Sequence, residues 1–213
     1  MNIYLLVRLG GSLTNLVLFG VSLRAFRTKS PGYAKVFSLL CALEVVADVI
    51  QWVTNLSDIQ QITSNSLALM ELIIYTFMFL QIIHSKGIRW IVCLGMSVLL
   101  LCYMWIFLRK GLSHPIAFDM ELTDYAVLMI PCFTYFKEVF TFQREGDLLR
   151  DFTFWFVAAS LFIFASTIIS RLGLFYLYTL NLGDYGNNFF LLSGLVFIIV
   201  NVLYIKACLC LRK

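Results

Sequence analysis

Apolar residues run through this chain in seven long stretches, separated by short clusters of charge, glycine and proline. A bilayer core about 30 Å thick is crossed by about 20 apolar residues in a helix, so each stretch predicts one spanning helix. The stretches are residues 3–24, 35–55, 63–84, 88–108, 123–142, 152–176 and 188–211. Turn-forming groups support the divisions. Ser30-Pro31-Gly32 follows the first stretch, Ser113-His114-Pro115 follows the fourth, and Gly183-Asp184-Tyr185-Gly186 precedes the seventh. Strands of a membrane barrel would alternate polar and apolar residues over about ten positions, and residues 97–108 do not alternate. The pattern predicts an all-α polytopic membrane protein, a single seven-helix domain over residues 1–213, with no loop between helices long enough to hold a soluble catalytic domain.

Composition agrees. Hydrophobic residues make up 61% and charged residues 13%, with a mean hydropathy of +0.89, where soluble domains carry about 25% charged residues. The first stretch lacks a basic leader and is interrupted by Arg8, so it reads as a spanning helix and not as a cleavable signal. Lys and Arg bias sets the orientation of such a bundle. Arg24, Arg27, Lys29, Lys35, Lys86, Arg89, Lys137, Arg144, Arg150, Lys206, Arg212 and Lys213 fall on one side, and only Arg8, Arg109, Lys110 and Arg171 on the other. The N-terminus is therefore expected outside and the C-terminus in the cytoplasm. The net charge of +4 reflects this anchoring and does not call for nucleic acid as a partner. The six cysteines are scattered through the apolar stretches and read as small packing residues, not a disulfide framework.

Ionisable groups inside a membrane are costly and mark a pathway, a ligand site or a paired contact. Glu44 and Asp48 lie four apart on the second helix, with Gln51 continuing that face. Glu71 lies in the third helix, Arg8 in the first and Arg171 near the outer end of the sixth. At 1.5 Å per residue, all six approach one layer in the outer half of the membrane, provided their helices face one another. Two readings follow: a structural network tying helices together, or an outward-facing polar pocket for a small polar or zwitterionic ligand or an ion. Three carboxylates against two guanidiniums leave one acid without a cation. Arg8 and Arg171 could instead extend to the interface and pair with nothing. Asp58, Asp119, Glu121, Asp124 and Asp184 read as acids of the outer loops and helix ends. Trp52, Trp90, Trp105 and Trp155 fall near the expected surfaces, as interfacial anchors do. Pro131 permits a kink in the fifth helix. Lys137-Glu138, Arg144-Glu145 and Asp147 to Asp151 form the most mixed-charge connection, either a solvated loop or a docking surface.

Several chemistries are disfavoured. Only His84 and His114 are present, at opposite ends of the bundle, so neither a histidine-based zinc site nor a Ser/His/acid set can assemble. No Gly-rich phosphate loop occurs. Lys206, the only lysine of the seventh helix, lies too near its end for a retinal Schiff base. No cofactor is implied. Internal repeats and paired broken helices, the marks of many transporters, are not evident.

Three pieces, Asn65-Ser66-Leu67-Ala68-Leu69-Met70-Glu71, Asp151-Phe152-Thr153-Phe154-Trp155-Phe156 and Asn201-Val202-Leu203-Tyr204, resemble the small seven-helix membrane proteins of Bacteroidetes-type bacteria. The resemblance implies a sensory module in a bacterial inner membrane, working beside a histidine kinase. Apolar residues stand here where that family has His and Tyr before the acid of the third helix, so the resemblance names no ligand. The expectation is a non-enzymatic sensor whose ligand-binding residues are Arg8, Glu44, Asp48, Gln51, Glu71 and Arg171. Its expected partners are the lipid bilayer, a cytoplasmic signalling protein and further copies of itself. A small-solute or ion transporter is the alternative, and a lipid-active membrane enzyme the second.

Overall fold

A computed structural model describes residues 3–28, 30–54, 56–113, 118–141, 147–180 and 186–211, without the side chains of residues 118, 119, 121, 178 and 186–190. Among these residues there is no strand. The helices are α1 (Ile3–Ser22), its one-turn continuation α2 (Arg24–Arg27), α3 (Gly32–Val53), α4 (Ser57–Ile82), α5 (Lys86–Lys110), α6 (Phe118–Thr141), α7 (Phe152–Thr179) and α8 (Gly186–Leu209). A short 3-10 turn, Leu148–Arg150, precedes α7. Each long helix coincides with one apolar stretch. Six segments are long and apolar enough to cross a membrane, belonging to α1, α3, α4, α5, α7 and α8. α6 has the length, at 24 residues, but Asp119, Glu121 and Asp124 near its start and Lys137 and Glu138 near its end dilute it.

Two helices begin at least five residues earlier than hydropathy indicates. α4 starts at Ser57 and α6 at Phe118, whereas the apolar runs suggest residues 63 and 123. Hydropathy marks the apolar slab and not the end of the hydrogen-bonded ladder, so polar residues such as Asp58, Gln60 and Gln61 simply extend α4 beyond it. Lys29, Asn55, His114, Pro115, Phe142, Arg144, Glu145, Gly183, Asp184, Tyr185, Arg212 and Lys213 lie outside the described residues, as do the side chains of Asp119 and Glu121.

The long helices form a closed ring. Each packs on the next in the chain, α1 on α3 and so on to α8, and α8 returns to pack along α1. α4 also touches α6 across the ring. Aromatic rings fill the middle. Phe37 of α3 lies 5.4 Å from Phe156 of α7 and 4.9 Å from Tyr204 of α8, and Tyr75 of α4 meets Phe164 of α7 edge-on at 5.3 Å. Such offset and edge contacts suit ring quadrupoles. Large apolar side chains such as Trp90, Leu94, Leu101 and Leu108 of α5 are exposed, which is the composition of a surface that meets lipid. α6 continues through Pro131, whose missing N–H removes one ladder bond.

The α1–α8 seam is close because both helices carry glycine there. A Cβ at Gly194 would lie 2.4 Å from Val7 Cγ1, and one at Gly10 would lie 3.2 Å from Ile198 Cδ1. Small residues that admit a neighbouring backbone are the usual device of packing in membranes.

At the face where α3, α5 and α7 begin, polar groups close the turns. Glu138, considered above as part of a solvated or docking loop, accepts backbone hydrogen bonds from Ser85 (3.0 Å) and His84 (3.2 Å) at the start of α5. A carboxylate at a helix N-terminus satisfies free N–H groups and complements the helix dipole. Asp151 accepts from Thr153 N at the start of α7 (2.9 Å), and Trp155 Nε1 donates to Leu149 O (2.8 Å). Lys206 Nζ sits 6.0 Å from the Trp155 ring, tying α8 to the same corner.

Candidate functional site

The polar residues of α1 and α3 follow the helical repeat. Gly11, Asn15, Leu18 and Ser22 are the buried stripe of α1, spaced by three or four residues as one helix face requires. Arg8 and Tyr4 continue this stripe toward the start of the helix. On α3, Cys41, Glu44, Asp48 and Gln51 form the corresponding line. The two stripes meet at the mouth of the ring, on the face where α1, α4, α6 and α8 begin.

There Arg8, Ser12, Asp48 and Gln51 line one cavity of about 530 Å³ with Tyr4, Val7 and Gly11 of α1 and Leu191, Ser193, Gly194 and Phe197 of α8. Its polar groups are partly engaged. The Arg8 guanidinium lies over the Trp52 ring, 4.3 Å from the centroid, and donates to the Gln51 carbonyl at 3.3 Å. Trp52 Nε1 in turn donates to Ser12 Oγ (3.0 Å). Asp48 Oδ2 accepts from Asn15 Nδ2 at 2.8 Å. Asn15 Oδ1 accepts from Asn201 Nδ2 at 3.0 Å, and the same amide donates to Thr14 Oγ1 at 3.1 Å. Asn15 is 3% and Asn201 1% exposed, a depth at which amides need partners. The chain Asn201–Asn15–Asp48 therefore joins α8, α1 and α3 behind the cavity.

A second, smaller cavity of about 50 Å³ is lined by Glu71, Tyr75, Tyr103, Asp124 and Tyr125 with apolar neighbours from α4, α6 and α7. Tyr103 donates a hydrogen bond to Asp124 Oδ2. Tyr75 and Tyr204 share a hydrogen bond between hydroxyls at 3.0 Å, and Tyr204 a second with Ser160 at 3.0 Å. Glu44 lines neither cavity; it lies one helical turn from Asp48 on α3, further from the mouth.

The six residues singled out from the sequence thus divide. Arg8, Asp48 and Gln51 share the larger cavity, Glu71 lines the smaller one, and Glu44 lines neither. Arg171 is exposed on α7 and lines neither cavity. With α4 starting at Ser57, Glu71 falls at the middle of a 26-residue helix, deeper than its distance from residue 63 suggests. Arg8, read above as an ion-pair partner, is held by an aromatic ring and a carbonyl.

Asn15, Asn201 and Asp124 carry more of the polar framework than the sequence reading gave them. Asn15 and Asn201 are uncharged and sit in apolar runs whose average they barely change. Asp124 reads as a loop acid only while α6 is taken to begin at residue 123. It is buried, at 8% exposure. Spacing holds one usable signal, since Asn15 falls on the stripe of Arg8 and Gly11. Among the described residues no cluster of His, Cys, Asp or Glu is suited to hold a metal ion.

No known protein family, curated protein or solved structure matches this chain. What can be said of its class is that it is a membrane helical bundle, with a polar cavity at one mouth of a seven-helix ring.

Proposed function

We propose that the protein is a non-enzymatic sensor of the bacterial inner membrane, which binds a small ligand in the cavity lined by Arg8, Ser12, Asp48 and Gln51. That cavity carries the reading: about 530 Å³ is within the roughly 300–1,000 Å³ of small-molecule sites, and its polar groups converge from separate helices. Occupancy changes the balance of the Asn201–Asn15–Asp48 chain. α8 carries that change to Lys206 and the Leu148–Arg150 corner, where a cytoplasmic signalling protein reads it. In this orientation the cavity opens outside and the corner faces the cytoplasm, following the Lys and Arg bias.

The orientation has its own test. A reporter active only in the cytoplasm should be active when fused after Lys213 and silent when fused after Asp184. The reverse pattern would place the cavity on the cytoplasmic side.

A small-solute transporter is the second reading, favoured by one observation: Asp48 lines the mouth cavity, Glu44 lies one turn further in on α3, and Glu71 lines the smaller cavity at the middle of α4, so acidic groups occur at successive depths from the opening. Reconstituted protein separates the two readings. Solutes that raise the melting temperature should alter hydrogen exchange at Leu148–Arg150 and show no protein-dependent uptake into proteoliposomes. Saturable uptake that Asp48→Asn abolishes would establish the transporter instead, and no response to any small solute would remove both.

A further inference from the structure

The chemistry of the mouth cavity narrows what it can take. This inference rests on the ligand-binding reading of that cavity and adds the class of ligand. Arg8 and Asp48, of opposite charge, line the same space, and they do not form an ion pair with each other among the described residues. Among the described residues Arg8 makes one hydrogen bond, to the Gln51 carbonyl, and stacks on Trp52. A guanidinium has five N–H donors, so most of them remain available. Asp48 accepts from Asn15 through Oδ2, and no described residue donates to Oδ1.

Ser12, Gln51 and Ser193 add neutral polar groups, and Tyr4, Val7, Leu191 and Phe197 supply the apolar and aromatic part of the wall. A lone anion in this space gains Arg8 but meets the repulsion of Asp48, and a lone cation meets the reverse. Only a molecule carrying both signs satisfies both groups, which is how a site discriminates by penalty as well as by attraction.

We infer that the cavity binds a small zwitterion, its ammonium on Asp48 Oδ1, its acid group on the Arg8 guanidinium and an apolar substituent against Val7, Leu191 and Phe197. An α-amino acid with an aliphatic or aromatic side chain fits this description. The headgroup of phosphatidylethanolamine carries the same pair of charges, with phosphate in place of carboxylate. The inward position of the lining stripe, continuous with buried Gly11 and Asn15 on α1, favours a soluble zwitterion entering through the mouth.

The test uses the full chain in nanodiscs of phosphatidylcholine and phosphatidylglycerol, which offer no primary ammonium. Leucine, isoamylamine (ammonium only) and isocaproate (carboxylate only) are titrated by calorimetry. Leucine should bind at least about tenfold more tightly than either analogue, a difference that corresponds to one decade in Kd. Asp48→Asn should abolish the preference for leucine over isocaproate. The variant keeps an oxygen acceptor for Asn15, so its melting temperature reports whether the fold survives. Arg8→Gln should abolish the preference over isoamylamine, and Arg8→Lys should retain it.

A second arm omits leucine and compares nanodiscs with and without phosphatidylethanolamine. Stabilisation by that lipid alone, lost in Asp48→Asn, would keep the zwitterion and assign it to the membrane. Equal binding of leucine and isoamylamine, in the absence of a lipid effect, would overturn the zwitterion while leaving a cation-binding cavity and the broader reading intact. No binding in either arm overturns the zwitterion. The broader reading fails as well only if the wider solute screen is also silent.

Discussion

Asn15→Ala is expected to lower the melting temperature of the purified protein more than any other single truncation of the polar framework. Asn15 makes two interhelical hydrogen bonds, donating to Asp48 and accepting from Asn201. Its removal leaves the Asp48 carboxylate without that donor, while among the described residues Asn201 keeps Thr14. Interhelical hydrogen bonds in membranes average about 0.6 kcal/mol, but a buried partner left unmet costs about 1–3 kcal/mol. The loss should therefore fall at about 1–3 kcal/mol, or about 2–4 °C per kcal/mol for a chain of this size. A double-mutant cycle sharpens the test. Asn15→Ala with Asn201→Ala should lose less than the sum of the two, because both delete the same hydrogen bond. Strict additivity would show that the amides do not act as a chain.

The seam beside it gives the second large effect. Gly194→Val should destabilise the bundle by about 1–3 kcal/mol, the ordinary cost of overpacking, because its Cβ alone would lie 2.4 Å from Val7 Cγ1. Val7 is branched at Cβ and cannot swing aside as a longer side chain would. Val7→Ala in the same molecule should restore most of the loss. Gly20 is the contrasting position: a Cβ there meets nothing within 4 Å, so Gly20→Ala should be neutral or gain up to about 1 kcal/mol of helix propensity. If Val7→Ala fails to rescue Gly194→Val, the seam is not set by this contact.

Much of the architecture can be read from the chain because lipid leaves so few choices: backbone polar groups must be satisfied within helices, and each helix must be apolar over the slab. The seven apolar stretches thus locate seven helices, and two of the three polar residues spaced along α3, Asp48 and Gln51, line one cavity. Helix ends at Ser57 and Phe118 escape the same logic, because nothing in hydropathy distinguishes a polar loop from a polar helical turn. Rotations of helices about their axes escape it too. Depth brought Arg171 and Glu71 to the level of Asp48, but Arg171 is exposed on α7 and Glu71 lines the smaller cavity. The neutral amides were hardest to find. A lone asparagine alters the average of a 20-residue run very little, although its need for a partner decides which helices must meet.

Closure of the ring by α1 and α8 has a consequence for assembly. The two helices that complete the circle are the most distant in sequence, so their contact forms late on any route that builds the bundle from neighbouring pairs. Until α8 arrives, Asn15 lacks Asn201, and the glycine face of α1 has nothing to pack against. The mouth cavity, walled on one side by α8, does not exist in that interval. Ligand can therefore reach only completed molecules, and its binding draws newly made chains toward the finished ring.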